Sequence, residues 1–260
     1  GQKTYELFLK INGNIGTFLL GVAISTFFSG NEFIVDSNNF VDWKNSLRGL
    51  EALLNPYNYL LGFALVFLAK ISGALYFINN INHEKIKTKA INSIKINMIF
   101  FLFLFLGFMF WILTKDGFAI NNEGFVYIKE CKYFYNLLEM PIVLAIFLIG
   151  VLMVIIAVFI TITFKKTCCI KTAGMGIVLT VMAVLLNVGL NNTAYYPSTA
   201  DLQSSLNIMN SSGSHYTLMV MSYASLMIPF VLAYITYAWY SMDRVKITKE
   251  EIESKDSHNY

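Results

Sequence analysis

Six apolar runs, almost free of charged residues, leave this chain few ways to fold. They lie near residues 13–28, 57–78, 94–113, 141–164, 173–190 and 217–240. At about 1.5 Å of helical rise per residue, most can cross a hydrocarbon layer about 30 Å thick. The first and fifth reach that length by recruiting mild flanks. A bilayer offers no water to backbone N–H and C=O groups, so a helix, which pairs its own peptide groups, is the economical solution. The fold class expected is all-α: a polytopic membrane helix bundle with spans of about 6–28, 56–80, 92–114, 139–165, 170–190 and 215–241. A tail follows at 242–260, and residues 1–260 read as one membrane domain.

Charge excludes the soluble alternative. Hydrophobic residues make up 56% of the chain and charged residues 13%, against about 25% charged in ordinary soluble domains. Basic residues concentrate in alternate connections. Lys3 and Lys10 precede the first span, and Lys85, Lys87, Lys89 and Lys95 follow the second. Lys165, Lys166 and Lys171 follow the fourth, and Arg244, Lys246, Lys249 and Lys255 follow the sixth. The opposite connections are longer and poorer in Lys and Arg. The positive-inside rule therefore places both ends of the chain in the cytoplasm. Lys3, Glu6 and Lys10 precede the first run without a small-residue cleavage site, so it does not read as a cleavable signal peptide.

Proline and glycine punctuate the spans. Pro56 and Pro141 stand where helices begin, a position that costs little because the missing N–H has no intrahelical partner. Pro229 lies inside the sixth span and predicts a kink near Leu226. Gly62, Ala69, Gly73, Gly174 and Gly176 offer small faces for close helix contact. Asn97 and Asn187, within or near spans, predict interhelical hydrogen bonds.

Candidate chemistry is sparse. His83 falls in a basic turn, His215 opens the last span and His258 lies in the tail, so no histidine sits at membrane depth to hold a metal or haem. Cys131, Cys168 and Cys169 form no metal-binding or redox spacing. No nucleotide-binding, hydrolase or zinc-protease motif occurs, and the scattered basic residues form no nucleic-acid surface. Catalytic, cofactor-binding and metal residues are therefore expected to be none. Lys70 is the exception worth naming, an ionisable residue roughly 17 Å from the basic end of its helix. It marks a candidate buried polar site facing protein or a polar cavity. Its counter-charge would come from a quinone headgroup, an acidic lipid or a partner subunit.

Several segments carry a resemblance. Tyr195-Tyr196-Pro197-Ser198-Thr199 is followed by Ser205-Leu206-Asn207-Ile208-Met209-Asn210-Ser211-Ser212. The kinked span ends Ala238-Trp239-Tyr240, before Ile247-Thr248-Lys249-Glu250-Glu251-Ile252-Glu253. Leu53-Leu54-Asn55-Pro56-Tyr57 leads a span ending Gly73-Ala74-Leu75-Tyr76, and Asp116-Gly117-Phe118 follows the third span. In order and spacing these resemble subunit II of cytochrome bd-type quinol oxidases over essentially the whole chain. That family's second subunit has nine crossings, and this chain resembles the last six. The resemblance implies a subunit that ligates no haem and has room for a bound quinone. Its partner would be subunit I, holding b- and d-type haems or b-type alone, with a small accessory membrane subunit as a further partner. Localisation would be the bacterial cytoplasmic (inner) membrane. The complex would oxidise quinol, reduce O2 to water and build a proton gradient. Ser72 stands where the family often has His or Gln, and Lys70 where an apolar residue is expected. The alternative reading is a six-helix half of a membrane transporter or permease.

Overall fold

The computed structural model describes residues 2–165, 167 and 169–243. Lys166, Cys168 and the tail from 244, with its basic cluster and its Ile247–Glu253 motif, lie outside the described residues. Among the described residues six helical segments are long and apolar enough to cross a membrane, the sixth being His215–Met242. In chain order the helices are α1 (Gln2–Ser29), α2 (Pro56–Asn80), α3 (Glu84–Thr114), α4 (Lys132–Glu139), α5 (Pro141–Phe164), α6 (Cys169–Gly189), the single turn α7 (Ile208–Ser211), α8 (His215–Ser225) and α9 (Ile228–Asp243).

The helix starts follow the punctuation. Pro56 occupies the first turn of α2, where the Asn55 side chain accepts a hydrogen bond from the Tyr57 N–H. Pro141 likewise occupies the first turn of α5, there without a side-chain cap. Pro229 sits in the first turn of α9, after a break at Leu226 and Met227. Lacking an N–H, it cannot bond the carbonyl four residues earlier, and the sixth span divides there. The third helix contains the expected span of 92–114 and extends beyond it at its start. It begins at Glu84 rather than near 92, because the segment from Lys85 to Ile91 contains no breaker and its lysines are good helix formers. The turn between α2 and α3 shrinks accordingly.

Two packed units make up the bundle. In one, α2 lies between α1 and α3, and in the other α5 pairs with α6. The units meet through α2 against α6 and α3 against α5. Glycines set the closest crossings. A Cβ on Gly21 would stand 2.7 Å from the Gly62 Cα, and one on Gly150 would stand 2.8 Å from the Gly176 carbonyl oxygen. Backbones approach this closely only where no side chain intervenes. Of the expected small residues, Gly62 and Gly176 make these contacts, whereas Gly73 and Gly174 face open space and Ala69 is exposed.

The connections opposite the basic turns build a second layer. Strands β1 (Phe33–Val35) and β2 (Val41–Trp43) form one antiparallel hairpin, and β3 (Gly117–Ile120) and β4 (Val126–Lys129) form another. The α6–α8 connection stitches both together. Asn31 N–H donates to the Pro197 carbonyl at 3.1 Å, and Thr199 N–H donates back to Asn31 at 2.9 Å. Ala194 N–H donates to Phe118 and Ile120 N–H to Asn192, both at 2.9 Å. The Gln203 amide bonds both backbone groups of Val126, at 2.9 and 3.0 Å. These loops hold polar backbone away from bulk water, and the Asn, Ser and Gln side chains satisfy it. Helices α8 and α9 stand apart, exposing nearly every described side chain.

Candidate functional site

Between the two helical units lies an apolar chamber of about 300 Å³, with no polar surface in its lining. Leu20 and Ile24 of α1, Ala64 of α2, Phe101 and Phe105 of α3, Val154 of α5 and Val184 of α6 are among its walls. Thr180 also borders it, but its hydroxyl donates to the Gly176 carbonyl at 2.8 Å and is spent within its own helix. The chamber exists because the glycine crossings clamp α1 to α2 and α5 to α6, while Leu and Phe side chains hold the two units apart. Such a space accepts an acyl or isoprenoid chain, or a small apolar gas. It offers a quinone head no hydrogen-bond donor.

Aromatic and amide groups close the loop end. Tyr133 and Phe28 are fully buried, with edge-to-face rings 5.0 Å apart, and Phe108 meets Phe28 at 5.9 Å. Burial raises the Tyr133 pKa well above the usual phenol range. Buried Asn58 of α2 accepts from Ser25 Oγ of α1 at 2.8 Å and donates to the Ala52 carbonyl at 2.9 Å. Buried Asn136 of α4 donates to the Asn187 carbonyl at 2.9 Å and to Thr193 Oγ1 at 2.8 Å, and accepts from Asn191 at 3.0 Å. Asn191 and Asn192 both adopt positive φ, which asparagine tolerates better than most residues.

Two lysines are drawn into this layer. Lys115 Nζ donates to the Phe28 carbonyl and lies 5.4 Å from the Trp111 and Phe118 ring centres. Burial pulls its pKa from 10.5 down to about 8, with Asp116 opposing. Lys132 Nζ donates to the Asn191 carbonyl at 2.7 Å; burial lowers its pKa, Lys129 adds to the lowering, and Glu139 opposes.

Lys70, the expected site residue, lies apart from this layer, in the middle of α2. Lys70 is not buried within this chain. It lies on the exposed stripe of α2 with Phe63 and Phe77, while Ile71 and Leu75 face the core. Its Nζ stands 5.3 Å from the Phe67 ring centre, and Phe67 stacks on Phe100 at 5.2 Å. The pattern is the helical period itself: the positions that face α1 and α3 are taken by apolar residues, which turns Lys70 outward. Asn97 departs from its expectation. Its amide donates to Ser93 of its own helix, at 2.6 Å to the carbonyl and 2.9 Å to the hydroxyl, so the expected interhelical bond is not made. His83 stands at the N-cap position of α3 without a side-chain capping bond, and His215 begins α8. Among the described residues no group of three or more His, Cys, Asp or Glu side chains could hold a metal. The chamber walls supply no imidazole or thiolate to an iron. Asn58 and Asn136 were missed by sequence reasoning; their only signal is an amide within or beside an apolar segment.

Six membrane-length helices around an apolar chamber, roofed by loops, define a polytopic membrane helix bundle. The family model for cytochrome bd terminal oxidase subunit II matches residues 1–242, and the chain belongs to that family. It is similar to cytochrome bd-I ubiquinol oxidase subunit 2 of Escherichia coli strains K12, O6:H1 and O157:H7, at 24% identity in each case. Each alignment covers 94% of this chain and 67% of the relative. Family membership sets aside the permease alternative.

Proposed function

We propose that this chain is the supporting subunit of a quinol-oxidising, O2-reducing complex in a bacterial cytoplasmic membrane, with its basic turns on the cytoplasmic side. The haems reside in a partner subunit I, of b and d type or b type alone. There quinol is oxidised and O2 reduced to water, with protons drawn from the cytoplasm. The observation that carries the reading is the family match across residues 1–242 of a chain with six membrane-length helices. A chamber walled by hydrocarbon side chains, with no iron ligand in its lining, fits the same division of labour. This chain's residues would accommodate the apolar tail of a quinone there and exclude water, without touching its reactive head. A small accessory membrane subunit would complete the assembly.

Affinity purification of the tagged chain from its native membrane tests this reading. The expected result is co-recovery of a multi-haem membrane subunit with a reduced-minus-oxidised spectrum of b-type haem, with or without d-type. Deleting the gene for this chain should diminish that spectrum in membranes. A haem subunit that assembles and turns over at full level without this chain would overturn the proposal.

A further inference from the structure

Lys70 poses a physical problem that the bundle leaves unsolved. Helix α2 runs from Pro56 to Asn80, so its midpoint falls at Leu68, two positions from the lysine. Side chains on a helix lean toward its N-terminus. The Lys70 ammonium accordingly lies toward Phe67, away from the nearer basic end of the bundle and deeper into the hydrocarbon. Reaching the nearer surface means reversing that lean. Reaching the farther one means spanning roughly 20 Å, beyond a four-carbon stem. Among the described residues Lys70 has no ion-pair partner. Among the described residues the acids lie at helix ends or in the loop layer: Glu6 near the start of α1, Glu84 at the start of α3, Asp243 at the end of α9, and the others in the loops. The level of Lys70 on α3 is marked by Phe100, about 24 Å of helix from Glu84. Lipid phosphates lie at the bilayer surface, about 15 Å from its middle. An exposed charge at this depth is costly in hydrocarbon, and a carboxylate on a neighbouring protein helix offsets that cost.

We infer that Lys70 is an intramembrane docking cation, paired with a carboxylate that a transmembrane helix of a partner subunit presents near mid-depth. The inference rests on the reading of this chain as one half of a heterodimer. The aromatic stripe beside Lys70, made of exposed Phe63 and Phe77 with half-buried Phe67, supplies the apolar seat around the pair. It dehydrates the pair and fixes one register along the membrane normal.

The test uses the whole complex. Tagged chains carrying Lys70→Arg, Lys70→Met or Lys70→Glu are expressed with the partner, and haem subunit recovered per tagged chain is measured in mild detergent. Lys70→Arg should retain wild-type recovery. Lys70→Met should lower it several-fold by leaving a buried acid unpaired, and Lys70→Glu at least tenfold by adding repulsion. The membrane yield of each tagged chain, expected to be unchanged, separates lost docking from failed insertion. In the wild-type complex a membrane-soluble carbodiimide should activate the partner's carboxylate. The Lys70 amine would then displace the urea to form an amide, identified as a cross-linked peptide by mass spectrometry. Wild-type recovery with Lys70→Glu overturns the inference, as does a cross-link from Lys70 only to an acid of this chain. So does a recovery that follows the anionic-lipid content of the preparation and ignores the substitution. If wild type and variants alike recover no haem subunit, the heterodimer reading fails and takes this inference with it.

Discussion

Lys115 Nζ lies 2.5 Å from the carbonyl oxygen of Phe28, joining the C-terminus of α3 to the last turn of α1. The last carbonyls of a helix lack intrahelical donors and carry partial negative charge. The lysine satisfies one of them, at the cost of its own burial between Trp111 and Phe118. Burial is the dominant effect, and it pulls the pKa to about 8.

This makes stability rise with pH through an alkaline window. Between about 8 and 10.5 the unfolded chain still binds the Lys115 proton that the folded chain has released, so raising pH favours the folded state. Below about 8 the folded chain carries the full penalty of a buried charge. The whole effect is at most on the order of 3 kcal/mol. Lys132, also lowered, contributes in the same direction. Thermal unfolding in detergent should show a midpoint that climbs from pH 8 to pH 10, with a clearly smaller slope for Lys115→Met. An unchanged slope in that variant would assign the effect elsewhere.

Gly150→Ala should loosen the α5–α6 pair. The new methyl would stand 2.6 Å from Thr180 Oγ1 and 2.7 Å from the Thr180 nitrogen, which is backbone and cannot swing aside. Overpacking of this kind costs about 1–3 kcal/mol. Gly174→Ala is the control: open space surrounds it, and alanine favours a helix interior over glycine by up to about 1 kcal/mol. Unfolding in mixed micelles should move in opposite directions for the two variants.

Asn58→Ala should destabilise the chain by about 1–3 kcal/mol, since it leaves Ser25 Oγ and the Ala52 carbonyl without their partner in a buried site. The double variant with Ser25→Ala should lose less than the sum of the single losses, because the two side chains share one bond. Additive losses in a double-mutant cycle would contradict the network.

Ala64→Phe should fill the chamber. Ala64 is fully buried at its wall, and a volume of about 300 Å³ has room for an added ring. Xenon binding, followed by the 129Xe chemical shift, should weaken in the variant. Any loss of stability should stay within about 1–3 kcal/mol, the usual range for an added apolar group. Undiminished xenon binding would place the guest elsewhere.

The six spans were legible in the sequence because each is a local matter. A run of apolar residues must satisfy its own backbone in hydrocarbon, and Pro56, Pro141 and Pro229 act on their own turns whatever surrounds them. Contacts between elements were less legible. Gly62 and Gly176 were singled out, but so were Gly73 and Gly174, and the partner glycines Gly21 and Gly150 were not. Small size permits close approach; which face meets which depends on helix rotation. The short helix α4 and the amide networks of Asn58 and Asn136 join residues up to 57 positions apart, and the hairpins are tied to residues up to 169 positions away, beyond the reach of any local pattern. Lys70 shows the division most sharply. Sequence alone determined that a lysine sits near the middle of a membrane-length helix, because residue order sets height along a helix. Only the tertiary structure decided that it points outward, because helix packing chooses which stripe of α2 is covered.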